Sequence, residues 1–160
     1  MRTLSIVIPC GGNASWRLRN LEEVLICLRS QTRKDFELIL VEQSTDGQYY
    51  HDQKSCDLYL PIEDPMNRPF NRSWCRNVGA YHASGELLLL MDGDYVFQCD
   101  YLEKVIKMED YFFSGTNLFY WSDARLRETY LEKKDFSIFR QSPSFPPVCS
   151  QCSVWWNSWI

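Results

Sequence analysis

The sequence has little histidine, no long apolar run and no excess of positive charge, and each shortage removes a class of function. Its 2 histidines, His51 and His82, have no serine or cysteine partner legible in the sequence, so nucleophilic catalysis is not indicated. A formal net charge of −4 argues against a general nucleic-acid binder, although Arg68, Arg72 and Arg76 leave room for a local basic patch. The run LLLLM covers about a quarter of the length needed to cross a bilayer. LSIVIP near the start is too short for a signal-peptide core and stops at Pro9. Gly11 and Gly12 lack the spacing of a P-loop or a dinucleotide fingerprint and mark only a tight turn. The 7 cysteines are odd in number and follow no disulfide framework, so a reducing, cytoplasmic setting is expected. Cys149 and Cys152 have metal or redox spacing, but with no second CxxC and no histidine nearby the spacing reads as coincidence.

What is present suits one globular domain. A chain of 160 residues with 45% apolar and 24% charged residues can bury a sizeable core. Aromatic residues at 15% exceed ordinary core needs, so some are expected to line a cleft or a partner surface. No internal repeat or low-complexity tract breaks the chain.

LSIVIP (4–9) and FELILVEQ (36–43) read as buried strands, CDLYLPI (56–62) as a short third and ELLLLM (86–91) as a fourth. Between the first two, Leu18, Leu21, Val24, Leu25 and Leu28 give an amphipathic helix to about Ser30. Asn71 or Ser73 caps a second helix carrying Trp74, Val78 and Tyr81, expected to close at Gly85. Beyond residue 97 the pattern thins, with a helix expected over 101–111, a strand at 117–121 and an exposed helix at 125–136. The strand–helix alternation over 4–91 predicts an α/β fold with a mostly parallel sheet. Ligands in such folds bind beyond the carboxyl ends of the strands. Loop 10–15, the VEQS turn and the DGD that ends ELLLLM then share one rim, with the leucines expected to form a central strand.

The rim residues allow chemistry and also permit plainer readings. Asp92 and Asp94, one residue apart on a turn, can approach one magnesium or manganese ion, or can simply be solvated. Glu42 can hold a base or ribose, or be an N-cap-like or solvated carboxylate. Arg72 and Arg76, four apart near a helix start, can meet a diphosphate or lie exposed.

LSIVIP, LRSQTRKDFELILVEQSTDG and FNRSWCRNVGAYHASGELLLLMDGD, in that order, resemble the nucleotide-sugar-binding half of GT-A fold, family 2-type glycosyltransferases. The match covers roughly residues 3–97, and FNRSWCRNVGA is similar to the galactosyltransferase-like branch. The resemblance implies a Rossmann-like sheet, a UDP-sugar donor, a carbohydrate or glycolipid acceptor, inversion at the anomeric carbon, and manganese or magnesium as cofactor. By position, Pro9 lies by the base, and Glu42 stands where the family usually has an aspartate contacting uracil or ribose. The resemblance likewise implies that Arg72 and Arg76 contact uridine or its phosphates, that Asp94 ligates the metal, and that Asp92 sits near the ribose or the metal's water shell.

Two expectations follow from departures. CSQCSVWWNSWI resembles the start of the acceptor-side segment, and the WGxED-like motif that carries the family's catalytic base does not follow before Ile160. Residues 1–160 are therefore expected to form a single GT-A-like domain, with 1–97 as the nucleotide half and 98–160 as an incomplete acceptor side. The base stays unassigned, since nothing in their spacing singles out Asp123 or Glu128. Trp155, Trp156 and Trp159 suggest an apolar surface covered by a second chain or another copy. A peripheral place at the inner face of a membrane is a family expectation only.

Overall fold

A computed structural model of the protein describes residues 3–11, 15–44, 47–66, 68–107, 117–118, 124–133 and 148–149. The β-branched and leucine-rich runs form β1 (Leu4–Gly11), β2 (Glu37–Ser44), β3 (Leu58–Glu63) and β4 (Leu87–Leu90). They pair in parallel, in the order β3-β2-β1-β4. The expected α/β class and parallel sheet are thus observed, and every strand's carboxyl end lies on the same edge. Helices α1 (Ser15–Arg29), α2 (Arg72–His82) and α3 (Tyr101–Ile106) complete the first compact unit. A second unit holds β5 (Asn117–Leu118), α4 (Ala124–Lys133) and β6 (Val148–Cys149), with β5 and β6 antiparallel. Asp123, Cys152, Trp155, Trp156, Trp159 and the SPSFPP segment lie outside the described residues.

The core explains the placement of α2. Val7, Ile39, Val41 and Leu88 share one sheet face, and Cys75 of α2 is fully buried among them. Strand periodicity sends Ile6, Ile8, Leu38 and Leu40 to the opposite face, where they are equally buried. Gly79 lets α2 approach this closely. A Cβ there would stand 2.3 Å from Val7 Cγ1 and 3.0 Å from Val41 Cγ2. Overpacking of this kind costs about 1–3 kcal/mol, against up to ~1 kcal/mol regained in helix propensity. Gly79→Ala is therefore expected to lower stability by about 1–2 kcal/mol, read as an earlier urea midpoint with an unchanged slope.

Two expectations are corrected here. Asn71 is the cap, its Oδ1 accepting from Trp74 N at 3.0 Å, but α2 ends at His82 and not at Gly85. Ser84 N donates instead to Glu37 Oε2 at 2.9 Å, and Gly85 N to Ser5 Oγ at 2.7 Å. These side chains draw the backbone out of the helix and onto the foot of β1 and β2. Burial opposes ionisation of Glu37, yet the hydrogen bonds from Ser5 and Ser84 prevail and hold its carboxyl below the usual range. The second correction concerns the leucine run. Among the described strands β4 pairs only with β1, so it stands at one end of the sheet while β1 and β2 occupy the middle. Its leucines are nonetheless buried on both faces, Leu88 towards α2 and Leu87 and Leu89 away from it.

Candidate functional site

The carboxyl edge of the sheet is shaped by close contacts at the ends of β1 and β2. A Cβ on Gly11 would meet Phe70 Cδ2 at 2.6 Å and Gln43 O at 2.8 Å, so the phenylalanine of FNR packs directly on the tip of β1. Gln43 is fully buried, and its Oε1 accepts from Asn71 N at 2.7 Å. The amino end of α2 is thereby pinned to the end of β2, which fixes where Arg72 and Arg76 emerge.

Both arginines turn to the aspartate after β4. Arg76 NH2 lies 2.7 Å from Asp92 Oδ1, and Arg72 NH1 lies 3.4 Å from Asp92 Oδ2. The side chains of Asp92 and Arg76 are 17% and 27% exposed, that of Arg72 58%, so the Arg76 contact is the better shielded. Arg76 Nε is buried and has no hydrogen-bond partner, which leaves one guanidinium donor unused. Arg68, the third arginine of the basic stretch, pairs with the buried Asp64 at 2.7 Å and is occupied there.

Asp94 differs from Asp92. It is exposed to solvent, yet its carboxyl is pushed above the usual range, first by crowding that strips water and then by the charge of Asp92. Arg72 and Arg17 oppose that rise. Arg17, on the first turn of α1, donates to Gly11 O at 3.3 Å and sits 5.1 Å from the ring centre of Trp16. It is a further cation at this rim that the sequence reading did not single out. An exposed carboxylate whose ionisation is opposed by a neighbouring carboxylate gains from a divalent cation, because the cation offsets both charges. Asp94 and Asp92 therefore suit the magnesium or manganese expected from the DGD sequence.

Glu42 and Pro9 lie near the ends of β2 and β1 and make other contacts. Pro9 is buried within β1, in register with Val41, and projects to the α2 face of the sheet. Glu42 is on the opposite face and only 1% exposed, neither solvated nor capping a helix. Its Oε1 accepts from Tyr50 N at 2.9 Å, and its Oε2 from Tyr59 Oη at 2.6 Å and His51 N at 3.1 Å. Burial opposes its ionisation, but the His51 imidazole, the Tyr59 hydroxyl and the Tyr50 amide outweigh it and hold the carboxyl below the usual range. Desolvation and the same contact push the Tyr59 phenol upward. Cys10 and His51 complete this group: one ligand atom from each of Cys10, Glu42 and His51 lies within 4.8 Å of the others. His51 thus has a cysteine neighbour in space that its sequence position did not reveal. His82 is exposed at the end of α2, and Glu128 is exposed on α4 in the second unit.

A family model described as "Glycosyltransferase like family 2" matches residues 5–118. The chain belongs to this glycosyltransferase family. Two curated relatives, uncharacterized glycosyltransferases of Rickettsia felis and Rickettsia conorii, are each 23% identical over 154 residues. The alignments take in 94% of this chain and 24% of each relative, so the chain spans about a quarter of their length. Among solved structures, S. aureus TarS 1-349 in complex with UDP-GlcNAc is similar at a TM-score of 0.48 and 21% identity, over 65% of this chain and 30% of that one. Mannosyltransferase PcManGT from Pyrobaculum calidifontis, in complex with GDP-Man and Mn2+, gives 0.46 and 18%, over 65% and 31%. The family match covers all four strands of the parallel sheet and both arginine and aspartate motifs. Among the described residues of this glycosyltransferase chain, no helix is long and apolar enough to cross a membrane.

Proposed function

We propose that this family 2 chain carries the donor-binding part of a metal-dependent glycosyltransferase, which moves a sugar from a UDP-sugar to an acceptor hydroxyl with inversion. The observation that carries the reading is the pairing of Asp92 with Arg72 and Arg76 on the carboxyl edge, beside the exposed Asp94. Three guanidiniums, from Arg17, Arg72 and Arg76, oppose two carboxylates there, and that balance favours an anion such as a diphosphate. A divalent cation held by Asp94, with Asp92 beside it, would neutralise the leaving diphosphate.

The chain's own residues bind and orient. Arg76 already has one guanidinium edge on Asp92, and its free Nε offers a further donor to a phosphate oxygen. Arg72 is more exposed and able to swing from Asp92 to the diphosphate, a longer contact giving way to a charge-assisted one. The buried Glu42, its oxygens already engaged by Tyr50, His51 and Tyr59, shapes the ground beneath the nucleoside without offering it a free carboxylate, and Pro9 stiffens the end of β1 on the other sheet face. An acceptor carbohydrate or glycolipid loses its proton to a base that the assigned residues do not include.

Family membership and the rim arrangement support this reading over a module that only binds the donor. The deciding experiment is UDP release from UDP-sugars by the purified protein with manganese and a panel of acceptors. Acceptor-stimulated release is expected. Binding of UDP with neither hydrolysis nor transfer for any acceptor would leave a donor-binding module that needs a second chain.

A further inference from the structure

A second cluster of metal-binding character lies on the other face of the sheet from α2. Cys10 is the last residue but one of β1, Glu42 lies near the end of β2, and His51 sits in the connection to β3. The thiol, carboxylate and imidazole ligand atoms lie within 4.8 Å of one another. Strand register produces part of this, because Cys10 and Glu42 are direct partners and project to the same face.

We propose that Cys10, Glu42 and His51 form a zinc site, chemically distinct from the aspartate pair after β4; it rests on this geometry and not on the donor-binding reading. Three features point to a ligand. The first is the donor set. Thiolate and imidazole select zinc over magnesium and manganese, which prefer oxygen, and three protein ligands leave a fourth position open. The second is His51 Nδ1, which is buried and has no aligned hydrogen-bond partner, although Glu42 Oε2 is 3.2 Å away. A buried ring nitrogen whose one close contact is this poorly aligned carboxylate oxygen is free to turn to an ion that both can ligate. The third is the support behind Glu42: Tyr59 Oη and the amides of Tyr50 and His51 hold its carboxylate in place, as outer hydrogen bonds do around metal ligands.

Closure needs little movement. Ligand atoms around a tetrahedral zinc stand roughly 3.3–3.7 Å apart, given metal–ligand bonds of about 2.0–2.3 Å. The excess here is at most about 1.1–1.5 Å, which rotation about the Cys10 and His51 side-chain bonds can take up. Cys10 Sγ gives up a weak 3.6 Å hydrogen bond to Val41 O, and its proton passes to solvent as the thiolate binds. As residues Cys10 and His51 each keep some exposure, although the ligand atom His51 Nδ1 is itself buried.

Cobalt is the probe, because cobalt bound to thiolate gives a charge-transfer absorption that oxygen-only sites do not. Tag-free, reduced protein titrated with cobalt(II) in the absence of nucleotide is expected to show this band at one equivalent, and one equivalent of zinc is expected to bleach it. Excess manganese should leave it unchanged. Cys10→Ser should remove the band, and His51→Ala should weaken cobalt binding by more than about tenfold. Asp94→Asn and the double variant Cys149→Ser/Cys152→Ser should leave it intact, with far-ultraviolet circular dichroism confirming that each variant is folded. Absence of the band, its survival in folded Cys10→Ser, undiminished affinity in folded His51→Ala, or its loss in the Cys149/Cys152 variant would each overturn the proposal.

Discussion

Asp94→Ala is expected to reduce manganese-dependent UDP release by a factor on the order of 10²–10³ while leaving the protein as stable as before. The two halves of that statement have one cause. Asp94 is exposed, so truncation removes little packing. Its ionisation is opposed by desolvation and by Asp92, so its charge works against the folded state until something positive arrives. A residue that costs the empty protein and is needed by the loaded one fits a cation-holding role. Thermal unfolding without metal should therefore show a midpoint equal to or slightly above that of the unaltered protein. Turnover retained within a few fold, or a clear loss of stability, would contradict the assignment.

Arg76→Ala is expected to weaken UDP binding by about 10- to 100-fold, the equivalent of losing charge-assisted hydrogen bonds of roughly 1.5–3 kcal/mol. Arg76 is the better shielded of the two arginines and makes the shorter contact to Asp92. Its removal takes a donor from the ligand and leaves Asp92 beside Asp94 with weaker compensation. Arg76→Lys should recover only part of the loss, because a point charge cannot serve Asp92 and a phosphate oxygen through one planar fork. Arg72→Ala should cost about tenfold or less, and its effect should shrink with added salt, since a half-exposed guanidinium is screened. Equal effects of the two substitutions, measured by calorimetry at low and high salt, would show that shielding does not set their contributions.

The parts of the fold that were legible in the sequence are those encoded by neighbouring residues. LSIVIP and FELILVEQ are short apolar runs bounded by breakers, and each is a strand within two residues of its expected span. Asn71 caps α2 through Trp74 N, three residues away, so the cap could be read locally. The end of the same helix could not. Its last turn is opened by Glu37 and Ser5, which meet Ser84 and Gly85 from 47 and 80 residues away along the chain. The position of β4 at one end of the described strands was hidden for a related reason: a run of leucines reports burial on both faces and not which strand lies beside it.

The site divides along the same line. Asp92, Arg72 and Arg76 could be listed together because helix spacing and the strand end bring them to one edge, and the structure joins them. Glu42 lies near the carboxyl end of β2, but its burial was not foreseeable, because its partners Tyr50 and His51 come from a connection with no periodic signal and Tyr59 from β3. Cys10 and His51 escaped notice because a histidine in a polar loop shows nothing of what it folds against. The one available clue was their register: residues at the ends of adjacent parallel strands share a face when they are direct partners, and Cys10 and Glu42 are such a pair.

The central claim is that the carboxyl edge of this parallel sheet binds a nucleoside diphosphate together with a divalent cation. Calorimetric titration of UDP into the protein, with and without manganese, tests it most directly. The account predicts saturable one-site binding that requires manganese and disappears in Asp94→Ala. An absence of binding in the presence of manganese, or binding of equal strength in the folded Asp94→Ala protein, would contradict it.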